Sequence, residues 1–299
     1  MTRRHPLITL LLVAAAMSWT ATALAQQEVD ETRRLDSDGT VVFKDIAGTI
    51  DVVGWDRDEM KITGKLDKKA EELKITGDAG RLVLEVKYPD DLRNTDKGSR
   101  LRLMMPAGGT FEGETVSGDL SVAKLRGDVE LETVSGDITV RDEPASVEAA
   151  TVSGDLDLDV KTDTAELACV SGDIVVKGVR RELECGVVSG EIEVWAGSEM
   201  EDLECETVSG DITVTGEMPD GASWSLAAHS GDITLVLTGK VDARFDIETF
   251  SGNINDAFGH EARRTSRYAP GRELSFVEGE GKARVEIEAF SGDVRVLKK

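Results

Sequence analysis

Aromatic residues, cysteines and positive charge are all scarce in this 299-residue sequence. Phe, Trp and Tyr make up 4 %, there are 3 cysteines, and 58 acidic residues outnumber 35 basic ones, which gives a formal net charge of −23. Three cysteines are too few for a disulfide scaffold. The deficit of Lys and Arg excludes nucleic-acid binding and attraction to an anionic membrane surface. With 40 % hydrophobic residues the chain can still bury a core.

Long apolar runs are absent after the N-terminus. The apolar run at residues 7–17 follows two arginines and precedes the small-x-small site Ala23-Leu24-Ala25. This order is typical of a secretory signal peptide, here residues 1–25 with cleavage after Ala25. No later stretch is long enough to span a bilayer. We therefore expect an exported protein, located in the periplasm, at the cell surface or outside the cell, with no transmembrane span in the mature chain.

A repeat dominates the remaining sequence. Val-Ser-Gly-Asp or a close variant occurs nine times, and the first five copies are spaced by 18 residues. The later steps are 20, 21, 21 and 40 residues, so we expect the last step to contain a second turn of the repeat that has lost its motif near residues 271–274. The nine serines are Ser117, Ser135, Ser153, Ser171, Ser189, Ser209, Ser230, Ser251 and Ser291. Similarity at a fixed short period is typical of solenoid proteins.

Polarity alternates on both sides of each serine. The third residue after the serine is apolar in all nine copies and the fifth is apolar in eight, while the fifth residue before it is acidic in eight. A period of two predicts a β-strand with one buried face on each side of the serine. The Ser-Gly pair is typical of a corner, because glycine adopts φ values that other residues avoid. The valine before the serine breaks the alternation, as expected where the chain turns inward.

These patterns predict an all-β, single-chain β-solenoid, right-handed and β-helix-like, with rungs of about 18–21 residues and Ser-Gly-Asp corners. Each rung would pair with the next about 4.8 Å away. A β-sandwich is the alternative, but its loops vary in length, whereas the step here is nearly constant. We expect an N-terminal linker at 26–38, degenerate rungs with a cap at 39–110, and regular repeats at 111–299 with a loop excursion near 255–278.

The repeat array resembles a family of adhesin-like, β-strand-repeat bacterial envelope proteins, the domain of unknown function 4097. The resemblance covers about residues 40–299 and includes Gly48-Thr49-Ile50-Asp51-Val52 near the start and Phe290-Ser291-Gly292-Asp293-Val294 at the end. It implies a β-solenoid fold and a role at the cell envelope. The family has no catalytic motif that maps onto this sequence.

An acidic column follows the corner and is the candidate metal site. In-register stacking would bring neighbouring carboxylates about 5 Å apart, where they repel by about 1 kcal/mol in water. Either a row of Ca²⁺ ions relieves this repulsion, or each aspartate caps its own turn by accepting backbone N–H bonds. The Gly-Gly-x-Gly-x-Asp pattern of calcium β-rolls is absent, which favours capping and no cofactor. The column consists of Asp119, Asp137, Asp155, Asp173, Glu191, Asp211 and Asp232.

Two cysteines share an inward column on adjacent rungs, Cys185 and Cys205. Export permits a disulfide between them. Parallel Cβ vectors of stacked residues suit that bridge poorly, and buried free thiols are the alternative.

The repeated serines argue against a unique active site, because every rung requires one at its corner. The sequence therefore favours a non-enzymatic, adhesin-like envelope protein that presents extended acidic faces to another envelope protein or a surface glycan. Two alternatives stay open. One is a carbohydrate-active β-helix enzyme, a polysaccharide lyase or hydrolase, which would need clustered acids and sugar-stacking aromatics. The other is a calcium-binding structural module.

Overall fold

The computed structural model describes residues 27–266 and 270–299, and every regular element within those ranges is a β-strand. The predicted signal peptide and its cleavage site at Ala25 lie outside the described residues. The all-β prediction is confirmed. The 23 strands are β1 (Glu28–Arg34), β2 (Thr40–Trp55), β3 (Glu59–Lys65), β4 (Glu72–Gly77), β5 (Arg81–Lys87), β6 (Ser99–Pro106), β7 (Thr110–Ala123), β8 (Val129–Ser135), β9 (Ile138–Asp142), β10 (Ser146–Ser153), β11 (Leu156–Ser171), β12 (Ile174–Ser189), β13 (Ile192–Ala196), β14 (Asp202–Ser209), β15 (Ile212–Gly216), β16 (Ser223–Ser230), β17 (Ile233–Leu237), β18 (Ala243–Ser251), β19 (Ile254–Asp256), β20 (Arg263–Arg264), β21 (Arg272–Glu278), β22 (Ala283–Ser291) and β23 (Val294–Lys298).

Two ladders of stacked parallel strands form the walls of the solenoid. The first wall consists of the segments before each corner, from β2 through β7, β8, β10, β11, β12, β14, β16 and β22 to β18. The second wall consists of the segments after each corner, from β2 through β7, β9, β11, β12, β13, β15, β17 and β23 to β19. Strands β2, β7, β11 and β12 are long enough to contribute to both walls.

Equivalent residues of successive repeats pair with each other. Ser153 is in register with Ser135 on one side and with Ser171 on the other. Each position of the repeat therefore becomes a column of like residues along the molecule. The inward columns form one hydrophobic cluster between the walls, in which Ile138, Ile174 and similar aliphatic residues are fully buried. Burial of one such side chain contributes about 1.5–3 kcal/mol.

The N-terminal end is extended by β5 and β6, which run parallel to β2, and then by the antiparallel strands β1, β3 and β4. Strands β1, β3 and β6 continue the second wall, and β4 and β5 continue the first. The segment assigned to a linker, 26–38, thus contains a strand, because Val29 is buried and Asp30 pairs with Lys61 on β3.

The C-terminal end differs from the expected order of rungs. Strand β22 lies between β16 and β18, so the last rung of the sequence is the second to last in space. The rung that we expected near 271–274 is absent. Instead β21 runs antiparallel to β18, and Phe276 stacks on Phe245 with ring centroids 4.5 Å apart. This aromatic contact covers the open end of the core, which a further parallel rung would have left exposed.

The corner continues the backbone ladder from one wall to the other. Gly154 N–H donates to the Ser171 carbonyl at 3.2 Å, and Leu156 N–H donates to the Asp173 carbonyl at 2.9 Å. The glycines of successive corners touch: a Cβ on Gly172 would lie 2.1 Å from the Gly154 carbonyl oxygen, and the φ of Gly172 is +148°. Glycine is therefore required at this position both by the close approach and by the backbone conformation.

We predict that Gly172→Ala lowers the free energy of unfolding by about 2–4 kcal/mol, because the methyl group overlaps a backbone oxygen that can move only with its whole rung. Thermal or denaturant unfolding measures the change. Gly197→Ala is the matched control, since nothing lies within 4 Å of a Cβ placed there. Equal stability of the two variants would contradict the contact between successive glycines.

Candidate interaction face

The residue before each corner serine points to solvent. The six valines of this column are 43–51 % exposed, and Phe250 and Phe290 are similarly exposed. We had expected the valine to turn inward, and this is wrong. The residue before it already faces the core, so strand alternation continues one position further and the turn begins only at the serine. We call this column the valine ridge; in spatial order it consists of Val116, Val134, Val152, Val170, Val188, Val208, His229, Phe290 and Phe250.

The far end of the valine ridge is aromatic. His229 stacks on Phe290 with centroids 4.7 Å apart, and Phe290 stacks on Phe250 at 5.0 Å. The rings are nearly parallel because the three residues occupy one column of paired strands. Where the valines end, the ridge thus continues as three stacked rings, two of them apolar.

The residues two positions before each serine face inward. Several of their side chains stabilise the corner by hydrogen bonds to a glycine carbonyl of the preceding rung. The Thr151 hydroxyl donates to the Gly136 carbonyl at 3.4 Å, and the Cys169 thiol occupies the same place against Gly154. Buried hydroxyls normally find such partners. Thr207 has none among the described residues.

A groove runs beside the valine ridge on the outer face of the first wall. Its floor is the column three residues before the serine, where Ala150, Ala168 and Gly186 follow one another on consecutive rungs. Glu132 and Glu206 occupy the same column on the rungs at either side. The cavity formed by this column and the valine ridge extends from Glu114 to Glu288 and has a volume of about 1080 Å³, and nothing lies within 4 Å of a Cβ placed on Gly186.

An acidic column lies five residues before the serine, so the floor column separates it from the valine ridge along each strand. Its first member, Glu112, is paired with Arg81 at 2.8 Å. The next five have no ion pair with any described residue. Burial, and after it the charge of neighbouring carboxylates, raises the pKa of Glu130 and of Glu184. These five residues, which we call the acidic ridge, are Glu130, Glu148, Glu166, Glu184 and Glu204.

The acidic column after the corner, the candidate calcium ladder, is held by the backbone. Asp155 Oδ1 accepts the N–H of Asp173 at 2.9 Å, and Asp173 Oδ1 accepts the N–H of Glu191 at 2.8 Å. These aspartates thus cap the following rung, whereas we had expected each carboxylate of the column to cap its own turn. The same bond joins Asp119 to Asp137, Asp137 to Asp155, and Asp211 to Asp232. In the part of the chain that is described, no group of three potential metal ligands is close enough to hold an ion.

The cysteines pair in register as expected, but not covalently. Cys185 and Cys205 are opposite each other on β12 and β14, and both are buried free thiols, as is Cys169. Contact with the Cys205 thiol and burial raise the pKa of Cys185 well above its usual value. These thiols therefore pack as small apolar side chains.

A buried carboxyl closes the corner column at the N-terminal end. Asp45 is in register with Thr115, and its Oδ1 accepts the Tyr88 hydroxyl at 2.8 Å and the Ile46 N–H at 2.7 Å. Its Oδ2 has no partner among the described residues. Burial raises the pKa of Asp45 despite these hydrogen bonds.

The family comparison decides the classification. The Toastrack DUF4097 family model matches residues 40–218 and 217–297. The chain belongs to the Toastrack family. The resemblance inferred from the repeat is thereby confirmed, and it extends through the degenerate N-terminal rungs of this Toastrack chain.

Solved structures similar to the Toastrack chain share little sequence with it. A "putative adhesin" from Bacteroides fragilis is 11 % identical with a TM-score of 0.47, over 92 % of this chain and 99 % of that one. A "putative cell adhesion protein" from Clostridium sporogenes is 12 % identical with a TM-score of 0.22, over 91 % and 100 %. A "putative lipid binding protein" from Parabacteroides distasonis is 14 % identical with a TM-score of 0.40, over 90 % and 96 %. No curated protein matches the chain. The described residues include no helix able to cross a membrane.

We predict that Asp155→Ala lowers the free energy of unfolding by about 0.5–1.5 kcal/mol, because the Asp173 N–H loses its acceptor. Asp155→Asn keeps an acceptor oxygen at the same place and should remain within a few tenths of the native value. Thermal unfolding of both variants measures the difference.

The same melting curves test the calcium ladder. We expect millimolar Ca²⁺ to leave the melting temperature of the native protein unchanged, since the carboxylates are engaged with backbone N–H groups. A rise that disappears in Asp155→Ala would show that the column binds the ion and would contradict a purely structural role.

We predict that Glu184→Gln raises the melting temperature at pH 7 and low salt by about 1–3 °C, because it removes one member of an unpaired acidic column. The raised pKa means that the folded state binds protons more tightly than the unfolded state, so native stability should increase as the pH falls toward the ordinary glutamate value of 4.5. The advantage of the variant should shrink at that pH and at high salt. An advantage independent of both conditions would contradict repulsion as its cause.

Proposed function

We propose that this Toastrack protein is a non-enzymatic, adhesin-like cell-envelope protein that binds its partner through the outer face of the first wall. The observation that carries the proposal is the valine ridge, a continuous row of exposed side chains on nine adjacent rungs, of which eight are apolar and one is His229. Eight steps of about 4.8 Å make it about 38 Å long. Contiguous apolar surface of this kind is typical of interaction sites, whereas single exposed apolar residues are not.

The distribution of carboxylates supports a binding role over a catalytic one. The acidic residues recur at the same positions of successive rungs, and those after the corner cap backbone groups. General acid and base catalysis on a glycan needs two carboxyl groups in different environments at one place. A long uniform face suits recognition of an extended partner, either an envelope protein or a surface glycan.

Export to the envelope is part of the proposal and is supported by the N-terminal sequence, in which a short apolar run precedes a small-x-small site. We also propose a right-handed winding, because parallel crossover connections are right-handed in almost all known sheets. After export, the outer faces of the protein would be accessible to envelope partners.

The test replaces the centre of the ridge by polar residues. We predict that the triple variant Val152→Ser, Val170→Ser and Val188→Ser loses at least about tenfold in affinity for isolated envelope material, because the apolar contact is removed. These side chains are half-exposed and outside the core, so folding should persist, as thermal unfolding would verify.

The matched control is Val277→Ser with Leu297→Ser, two exposed apolar residues outside the ridge. Equal binding by the ridge variant and the native protein would refute the proposal. Release of shortened products from acidic polysaccharides by the native protein would refute the non-enzymatic assignment.

A further inference from the structure

We infer that the groove between the valine ridge and the acidic ridge is a docking site for a cationic amphipathic helix of a partner protein. This inference rests on the proposed function and specifies the partner. It is carried by the dimensions of the groove, by the small side chains of its floor and by the unpaired charges along one side.

A helix laid over the floor column would contact both ridges. Their backbones are four residues apart along each strand, which corresponds to about 13 Å. An α-helix with its side chains is about 10–12 Å across. The floor of Ala150, Ala168 and Gly186 allows the helix backbone to approach the wall closely, as small residues in a sheet do where another backbone packs.

The length of the small-residue floor is also defined. Within the longer cavity, Glu132 and Glu206 bound the floor four rung steps apart, or about 19 Å. A helix of about 13 residues spans that distance. One helical turn advances about 5.4 Å, close to the spacing of about 4.8 Å between rungs, so basic residues on successive turns can meet carboxylates on successive rungs.

The charges select a cationic partner. The five carboxylates of the acidic ridge have no ion pair with described residues, and Glu132 and Glu206 likewise have none. Lys or Arg on one flank of a helix would neutralise this column, while the apolar flank would cover the valine ridge. A second copy of the chain, with a net charge of −23, would be repelled, as would an anionic lipid or polysaccharide.

A partner peptide cannot bind the groove by adding a β-strand, because the backbone of the first wall is already paired there. The backbone groups beneath the groove are already bonded within the parallel ladder from β8 to β14. Recognition must therefore use side chains, which is how a helix binds a groove and not how a peptide extends a sheet.

The experiment titrates the purified full chain with a fluorescent synthetic peptide of about 14 residues that presents leucines on one helical face and lysines on the other. A scrambled peptide of the same composition is the ligand control. We expect the amphipathic peptide to bind more tightly than the scrambled one by at least about tenfold. Gly186→Leu should abolish most of that preference because its side chain occupies the floor, and Gly197→Leu should not, since both sites are sterically open but only the first lies in the groove.

A second pair of variants tests the charges. Glu148→Gln, Glu166→Gln and Glu184→Gln together should weaken binding at low salt and reduce its salt dependence. Glu71→Gln, Glu199→Gln and Glu261→Gln together remove the same net charge from exposed sites elsewhere and should leave binding unchanged.

Three results would overturn the inference: equal binding of both peptides, full binding by Gly186→Leu, or equal loss in the two triple glutamine variants. If the peptide fails to bind while envelope attachment still depends on the valine ridge, the helical partner is wrong and the proposed function stands. Competition of that attachment by a neutral surface glycan, and not by the peptide, would assign the face to the glycan instead.

Discussion

The close approach of one corner glycine to the next is the constraint on which the rest of the structure depends. Each Ser-Gly-Asp corner carries the backbone ladder from the first wall to the second, and the aspartate carboxylate accepts the N–H of the acidic residue at the following corner. Because no Cβ fits between Gly154 and Gly172, each corner stacks directly on its neighbour. This contact fixes the register between successive strands, and every other column is aligned by the same register.

The fixed register explains both the electrostatic repulsion within the acidic surface and its suitability for binding. When like residues must stack, a glutamate that is acceptable on one rung is repeated on every rung, and the charges repel along the column. Evenly repeated valines become a ridge for the same reason. The outer face of the first wall therefore combines an apolar row and an uncompensated anionic row with small residues between them, which no single repeat would reveal.

Much of the fold and of the interaction face could be predicted from the sequence, but only the features that a local pattern within one repeat determines. The inward columns and the corners followed from period-two alternation, since aliphatic burial is a local pattern. The direction of Val152 was mispredicted because a hydrophobic residue was assumed to face inward, although strand geometry places it outward. The floor of the groove can be predicted from the sequence, since the small residues Ala150, Ala168 and Gly186 recur three positions before the serine. The aspartates were assigned to their own turns because a bond to the next rung is not local in sequence. The placement of β22 was beyond sequence reasoning, since it depends on which strand finds the better partner at the end of the stack.

That placement has a consequence for how the molecule is completed. The rung containing Ser251 is made before the rung containing Ser291, yet it is separated from the Ser230 rung by the later one. When the chain is synthesised from its N-terminus, successive rungs can stack in sequence order only as far as β17. The unit formed by β18 and β21 can reach its final position only when β22 has paired with β16 on one side and with β18 on the other. Strands β22 and β23 thus complete the stack from within, because each pairs on both sides with strands that precede it in the sequence.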